Sequence, residues 1–527
     1  MAQQDDNVLD NDAFANQPGN GGGNDPFDNQ PQFLGHPIGL YFLFFTELWE
    51  RFSYYGMRAL LVLFLTASLT AENPGWGWED PEAISLYKWY TTLVYLASIP
   101  GGLLADRLLG QKKAVMVGGF LLCIGHLILA VPQPMAFYTG LAFIIAGVGC
   151  LKPNISTMVG GLYKQGDQRR DVGFTIFYIG INIGAFLAGI IVGTIGENIN
   201  FHYGFGLAGI GMLLGQVVYI WGQRYLKHVG NEPSSNELST EEKEALARPL
   251  TLVEKDRMKV MFLSFLIIIV FWGAFEQAGG LMNLYAEEKT NRITSLLNID
   301  VLLIGLFSIV FIRGLLVRRK DATQGRNWLI GSAVLGAVLL VLKLLVFQDD
   351  PYEVPATWFQ SVNSFFIITL GVPIGLFWVW WANGGRENSS LFKMAVGVVI
   401  MGLGFIFMAK ASMDYEATGS SAMTWLILAY LFHTIGELCA SPVALSFITK
   451  LAPVKYAAFM MGAYFAATGL GNFVAGSIGE QIANYSELQL FTGITIFCVL
   501  FGILVLLILK PLKRLTHGAE DIQLAAE

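Results

Sequence analysis

Fourteen apolar runs, most of them about 20 residues or longer, dominate this 527-residue chain. An apolar helix of about 20 residues crosses the hydrocarbon core of a bilayer. Inside lipid every backbone N–H and C=O must be satisfied within the protein, which leaves helices and closed barrels. Continuous runs of this length read as helices. They fall at 37–69, 84–106, 113–131, 135–159, 172–196, 203–226, 258–287, 296–317, 327–347, 357–382, 391–410, 422–448, 456–482 and 487–511. Composition agrees: 54% of residues are hydrophobic and 14% are charged, against about 25% charged in a typical soluble domain. The chain is expected to be all-α and integral to a membrane, with the lipid bilayer as its first partner.

The connecting loops are asymmetric in basic residues. One side carries Arg107, Lys112 and Lys113, then Lys164, Arg169 and Arg170, then Lys227, Lys243, Arg248, Lys255 and Arg257. The same side continues with Arg313, Arg318, Arg319, Lys320 and Arg326, then Arg386, Lys393, Lys450, Lys455, Lys510, Lys513 and Arg514. The opposite loops offer Lys289, Arg292 and Lys410, while Lys88 and Lys343 lie near span ends, where a long side chain can snorkel. Loops rich in Lys and Arg stay in the cytoplasm, so both termini are expected there. The start of the chain is acidic and Asn/Gly-rich, without a signal-peptide pattern. The lack of a large external domain points to a bacterial inner membrane.

Residues 227–257 are polar and divide the spans into six and eight. Two six-helix bundles joined by a cytoplasmic linker are the major facilitator architecture. The expected parts are a disordered acidic tail over 1–36, an N-terminal bundle over 37–226, the linker over 227–257, a C-terminal bundle over 258–511 and a short tail over 512–527. Two spans of the second half are surplus. An inserted pair keeps the orientation of everything downstream, so the two must be neighbours.

Seven ionisable residues lie well inside these spans: Glu47, Glu50, Arg51, Arg58, Lys152, Glu276 and Glu437. Each unpaired charge at a helix centre costs about 2.5–3.5 kcal/mol on insertion scales. Seven would cost on the order of 20 kcal/mol, more than the usual net stability of about 5–15 kcal/mol. They must face a polar cavity or one another. Glu47, Glu50, Arg51, Tyr54 and Arg58 share one side of a helix, and Glu47 with Arg51 forms an i, i+4 pair. A stripe that only holds helices together is the plain alternative, but intramembrane charges mark function by default. Four acids against three bases leave one carboxylate surplus, and a surplus buried carboxylate tends to take a proton. The cavity is therefore expected to bind a proton during its cycle.

Other chemistries find no footing. No G-x-x-x-x-G-K-[ST] loop is present, so ATP is not the energy source. Cys123, Cys150, Cys439 and Cys498 sit in apolar runs without metal or redox spacing, and the histidines do not cluster. No nucleophile–base pair marks an enzyme, no cofactor is expected, and a net charge of −7 disfavours nucleic acid. Gly101 to Lys113, with Asp106 and Arg107, reads as a gating element at the end of the second span. Tyr95, Asn182, Gln277 and Asn363 are polar groups inside spans, where interhelical hydrogen bonding is the commoner role. Trp272 and Phe275 read first as packing.

The stretch Glu47-Leu-Trp-Glu50-Arg51-Phe-Ser-Tyr54-Tyr55-Gly-Met-Arg58 resembles the ExxER helix of the proton-coupled oligopeptide transporters, a branch of the major facilitator superfamily. Phe174 to Phe186, around Asn182, is similar to that family's fifth-helix signature. Leu151-Lys152-Pro153-Asn154, Phe275-Glu276-Gln277, Phe359-Gln360-Ser361-Val-Asn363 and Gly436-Glu437-Leu-Cys-Ala-Ser441-Pro442 also match. The resemblance implies a proton-coupled symporter of di- and tripeptides that works by alternating access as a monomeric transport unit. It implies that Arg58 and Lys152 hold the peptide carboxylate and Glu437 the ammonium. Asn182 and Asn363 would bond the peptide backbone and ends. Glu47, Glu50, Arg51 and Glu276 would couple the proton, Glu276 by alternating a bridge with Arg58. Tyr54, Tyr55, Tyr95, Trp272, Ser441 and Tyr464 would line the pocket, Tyr464 standing where the family often has Trp. The matches bracket the surplus pair at 296–317 and 327–347, expected to be a peripheral hairpin. The rival readings are a related carrier of another small solute, such as nitrate or an amino-acid conjugate, and a peptide sensor that does not transport.

Overall fold

In the computed structural model the described residues are 30–164, 167, 169–231, 249–319, 322–346, 350–453 and 456–519. Most of the acidic tail (1–29), the linker over 232–248, Lys320, Lys455 and residues 520–527 lie outside them.

Fourteen helices of 20 or more residues are found among the described residues. In the first half they are α1 (Ile38–Thr66), α2 (Asp80–Leu104), α3 (Gly110–Leu129), α4 (Pro134–Gly160), α5 (Arg169–Asn198) and α6 (Phe201–Gly222). In the second they are α7 (Leu252–Phe275), α8 (Leu296–Arg318), α9 (Ala322–Val346), α10 (Trp358–Asn383), α11 (Ser390–Thr418), α12 (Met423–Leu451), α13 (Ala457–Gly479) and α14 (Glu487–Leu507). Local chemistry sets their ends. Thr251 and Glu254 form a reciprocal cap that starts α7, and Ser486 with Gln489 does the same for α14. Gly419, in the left-handed region at φ +78°, ends α11. Among the described residues ten stretches are long and apolar enough to cross a membrane by length and composition. α1 falls outside that set because it carries Glu47, Glu50, Arg51 and Arg58.

α1 packs on α5 and α6, and α3 on α4 and α6. In the second half α11 packs on α12 and α14, and α7 on α13. The halves meet along two seams, α2 with α13 and α5 with α10. The core is largely apolar side chains of these helices, with α8 and α9 outside its main cluster. α8 and α9 pack on each other, and only 13% of the most apolar stretch of α8 is buried. Their entry and exit are neighbours: Ile293–Thr294 pairs antiparallel with Tyr352–Glu353.

Two features depart from the sequence reading. Residues 32–37 are not part of a loose tail. Gln32–Phe33 and His36–Pro37 form a two-stranded turn, held by Tyr163 and by Arg169, whose guanidinium donates to the Gly35 carbonyl at 3.2 Å. The seventh span is not one helix. α7 stops at Phe275, a 3₁₀ turn covers Glu276–Gly279, and a short helix resumes at Leu281–Lys289. The near face is the one at which α1 starts, where Gly39 lies against Leu162 and Leu226, and the far face is the opposite one.

Candidate transport site

The charges of α1 are satisfied locally first. Arg51 Nε lies 2.8 Å from Glu47 Oε1 and 2.5 Å from Glu50 Oε2, and all three side chains are almost fully buried. Tyr54 flanks the guanidinium, whose carbon is 5.7 Å from the ring centre. α5 comes close to this cluster because Gly184 has no side chain: a Cβ there would sit 2.2 Å from the Leu48 carbonyl. Two residues earlier on α5, Asn182 donates to the Tyr178 carbonyl at 2.9 Å.

Lys152 lies on α4 just before Pro153, which has no N–H to bond the Gly149 carbonyl. Its ammonium sits 3.8 Å from the centre of the Tyr95 ring, a cation–π contact. Among the described residues no carboxylate pairs with it. Arg58 is placed differently. Its Nη2 is 2.7 Å from Glu276 Oε2 at the break in the seventh span, a buried bridge between the two halves. Tyr87 also donates to Glu276, at 3.4 Å. Across the cavity, Asn363 of α10 donates to Glu437 of α12 at 2.9 Å and to the Thr434 hydroxyl at 3.0 Å.

These groups converge on one cavity of about 220 Å³. Glu47, Arg51, Tyr55, Arg58, Tyr95, Lys152, Asn182, Trp272, Glu276, Asn363, Glu437 and Ser441 all line it. The first half supplies all three lining cations, Arg51, Arg58 and Lys152, together with Glu47, and the second half supplies Glu276 and Glu437. Three residues expected in the coupling group or the pocket lining fall elsewhere. Glu50 is fully buried behind Arg51 and does not reach the cavity. Tyr54 does not line the pocket: one residue is about 100° of helix, so it turns from Tyr55 toward α2 and stacks on Tyr90 at 6.4 Å. Tyr464 borders a small apolar recess shared with Trp272 and Ser441. Asp106 and Arg107 are exposed in a π-helical turn, Ala105–Leu109, at the near end of α2.

The cavity also uses residues that the sequence reading left aside, among them Tyr178, Gln360, Ser364 and Tyr430. Tyr178 and Gln360 carry a legible signal, standing four and three residues before Asn182 and Asn363 and hence on the same helical faces. Lys88 does not snorkel. It is buried and holds Glu480, 2.7 Å away, across the α2–α13 seam. A larger groove of about 740 Å³ between the far ends of α2 and α4 is mainly apolar, with Trp78, Trp89 and Tyr138 on its walls and Glu82 as its one carboxylate. The charged chemistry is not there.

A model of the POT family matches residues 112–241 and 347–495. The chain belongs to the POT family. The second matched segment begins just past α9, so the α8–α9 pair lies between the matched parts. Among POT relatives, a di-/tripeptide transporter of Lactococcus lactis subsp. cremoris is 34% identical over 505 residues, covering 92% of this chain and 97% of that protein. The peptide transporter YePEPT of Yersinia enterocolitica is 32% identical, covering 94% and 98%. A crystal structure of a peptide transporter POT in complex with alafosfalin superposes with a TM-score of 0.74 at 31% identity, covering 92% of this chain and 97% of that one. The fold is therefore that of a multi-pass POT transporter.

Proposed function

We propose that the chain is a proton-coupled symporter that imports di- and tripeptides across a bacterial inner membrane by alternating access, with the near face and both termini in the cytoplasm. The observation that carries this is the division of charge in one cavity, cations from the first half and Glu437 from the second. A short peptide is a zwitterion, so its two ends call for opposite charges. Lys152 meets the carboxylate first, because no carboxylate among the described residues pairs with it, whereas Arg58 is held by Glu276. A proton on Glu276 dissolves that bridge and releases Arg58 to the carboxylate. Glu437 takes the ammonium, with Asn363 keeping its carboxylate oriented. Asn182 serves the peptide backbone and ends, and Tyr55, Tyr95, Trp272 and Ser441 shape the side-chain space, with Tyr464 on the small recess that Trp272 and Ser441 also border. Glu47, Glu50 and Arg51 carry the coupling to Lys152. A peptide bound at both ends links the halves and favours a closed state by differential binding. The named substrates of the relatives support peptides over nitrate or an amino-acid conjugate.

Counterflow of a labelled dipeptide in proteoliposomes tests the reading. Exchange that unlabelled di- and tripeptides compete for, and nitrate does not, is the expected result. Binding without exchange would favour a sensor.

A further inference from the structure

The proposed cycle requires the far face to open, and one residue of the far face is built as a latch. Glu197 is the penultimate residue of α5, with a side chain only 10% exposed. Its carboxylate reaches the other half of the molecule. Oε2 accepts from the Ala356 N–H at 2.8 Å, and Oε1 accepts from the Thr357 N–H at 2.9 Å and the Thr357 hydroxyl at 2.5 Å. Those amides are at the start of α10, where backbone donors have no partner within the helix. Thr357 is the N-cap residue of α10, and its own side chain makes no capping bond. The cap comes from the opposite bundle. A carboxylate is the favoured group there, because the helix dipole puts partial positive charge at that end.

The surrounding contacts fit this role. Asn73 donates to the carbonyls of Gly196 at 2.7 Å and Glu197 at 3.0 Å, which fixes the last turn of α5. At Gly193 a Cβ would lie 1.9 Å from the Thr357 hydroxyl oxygen, so α5 and α10 touch where only glycine fits. Arg292 stands 4.0 Å from Glu197 while engaged more closely by Glu287 and Glu353, all three from the second half.

We propose that Glu197 is an inter-bundle latch: by capping α10 across the α5–α10 seam it holds the far face closed, and it must let go for that face to open. This makes it a positioning residue for alternating access, and the inference rests on that reading. No cavity charge takes part in it. The buried bond set is lost whenever α5 and α10 separate, so its removal shifts the equilibrium between closed and open far faces.

The test uses the full chain in nanodiscs, its four cysteines replaced by alanine and spin labels placed at exposed far-face sites, Tyr203→Cys and Tyr485→Cys. Distances are measured by pulsed electron resonance. Glu197→Ala should raise the ratio of long to short distances about tenfold or more, since hydrogen bonds to a charged group are lost. Glu197→Gln, which keeps an acceptor, should fall between. Glu416→Ala, an exposed far-face carboxylate, should change nothing. If Glu197→Ala does not fold, Thr357→Val must give the same direction of shift. Folded variants with the parent's distance distribution would overturn the latch. Failure of the parent to exchange peptides would overturn the transport reading and leave the distance result standing.

Discussion

Arg58 and Lys152 share a cavity but not a condition, since one is neutralised by Glu276 and the other rests on the Tyr95 ring. Glu276→Gln removes the charge that Arg58 answers. Proton-driven accumulation should then fall about tenfold or more, because the bridge no longer forms and opens with a proton, while counterflow, which needs no net proton movement, stays within about threefold. Equal loss of both in liposome assays would place Glu276 in folding or binding instead. Lys152→Ala should weaken dipeptide binding about tenfold or more, the scale of a charge-assisted hydrogen bond. Amidating the peptide carboxylate should then cost the variant little more, as non-additivity demands for partners in one contact. Additive losses in a titration series would separate Lys152 from the carboxylate. At this scale much of the site was legible, because lipid penalises Glu47, Arg58, Lys152, Glu276 and Glu437 wherever they are not used. Glu197 and Lys88 were not. They lie toward the far ends of spans, where a charge is ordinary, and only the fold reveals that each reaches across a seam.

Among the elements, α8 and α9 were legible as apolar runs and as the surplus pair, but not the way they leave and rejoin the bundle. The pairing of Ile293–Thr294 with Tyr352–Glu353 closes their base like the ends of a hairpin. Replacing residues 295–351 by a two-residue Asn-Gly turn between Thr294 and Tyr352, the length such a pairing favours, should leave a folded protein whose dipeptide uptake is within about twofold of the parent. Loss of uptake with retained folding would give the pair a part in transport. The strand turn at residues 32–37 escaped sequence reading because its hold is tertiary: the His36 ring is 2.8 Å from the Tyr163 hydroxyl. Burial, and then Arg169, lower the His36 pKa from its ordinary value, against an opposing effect of Asp167. Folding therefore favours the neutral ring. This anchoring is complete above the ordinary histidine pKa of about 6.5 and is lost as pH falls through the lowered value. Amide exchange over residues 32–37 should accelerate at low pH in the parent and much less in His36→Gln.

The whole molecule joins two halves along α2–α13 and α5–α10, with one charged cavity between them. Arg58–Glu276, Lys88–Glu480 and Glu197 with the start of α10 tie these halves together, the last two toward the far face. The two-bundle plan was legible in the count of runs and the polar linker, because lipid fixes helix length. The break at Glu276 was not, since Phe275-Glu276-Gln277 has no proline or paired glycine before Gly279-Gly280 to announce it. The central claim is that a proton gradient drives a peptide through this cavity. It is tested by loading the purified protein into liposomes and imposing a pH gradient, acidic outside, with labelled dipeptide equal on both sides. Net accumulation inside, abolished by a protonophore and by Glu437→Ala, is the predicted result. Accumulation absent under the gradient, or unchanged when it is collapsed, would contradict it.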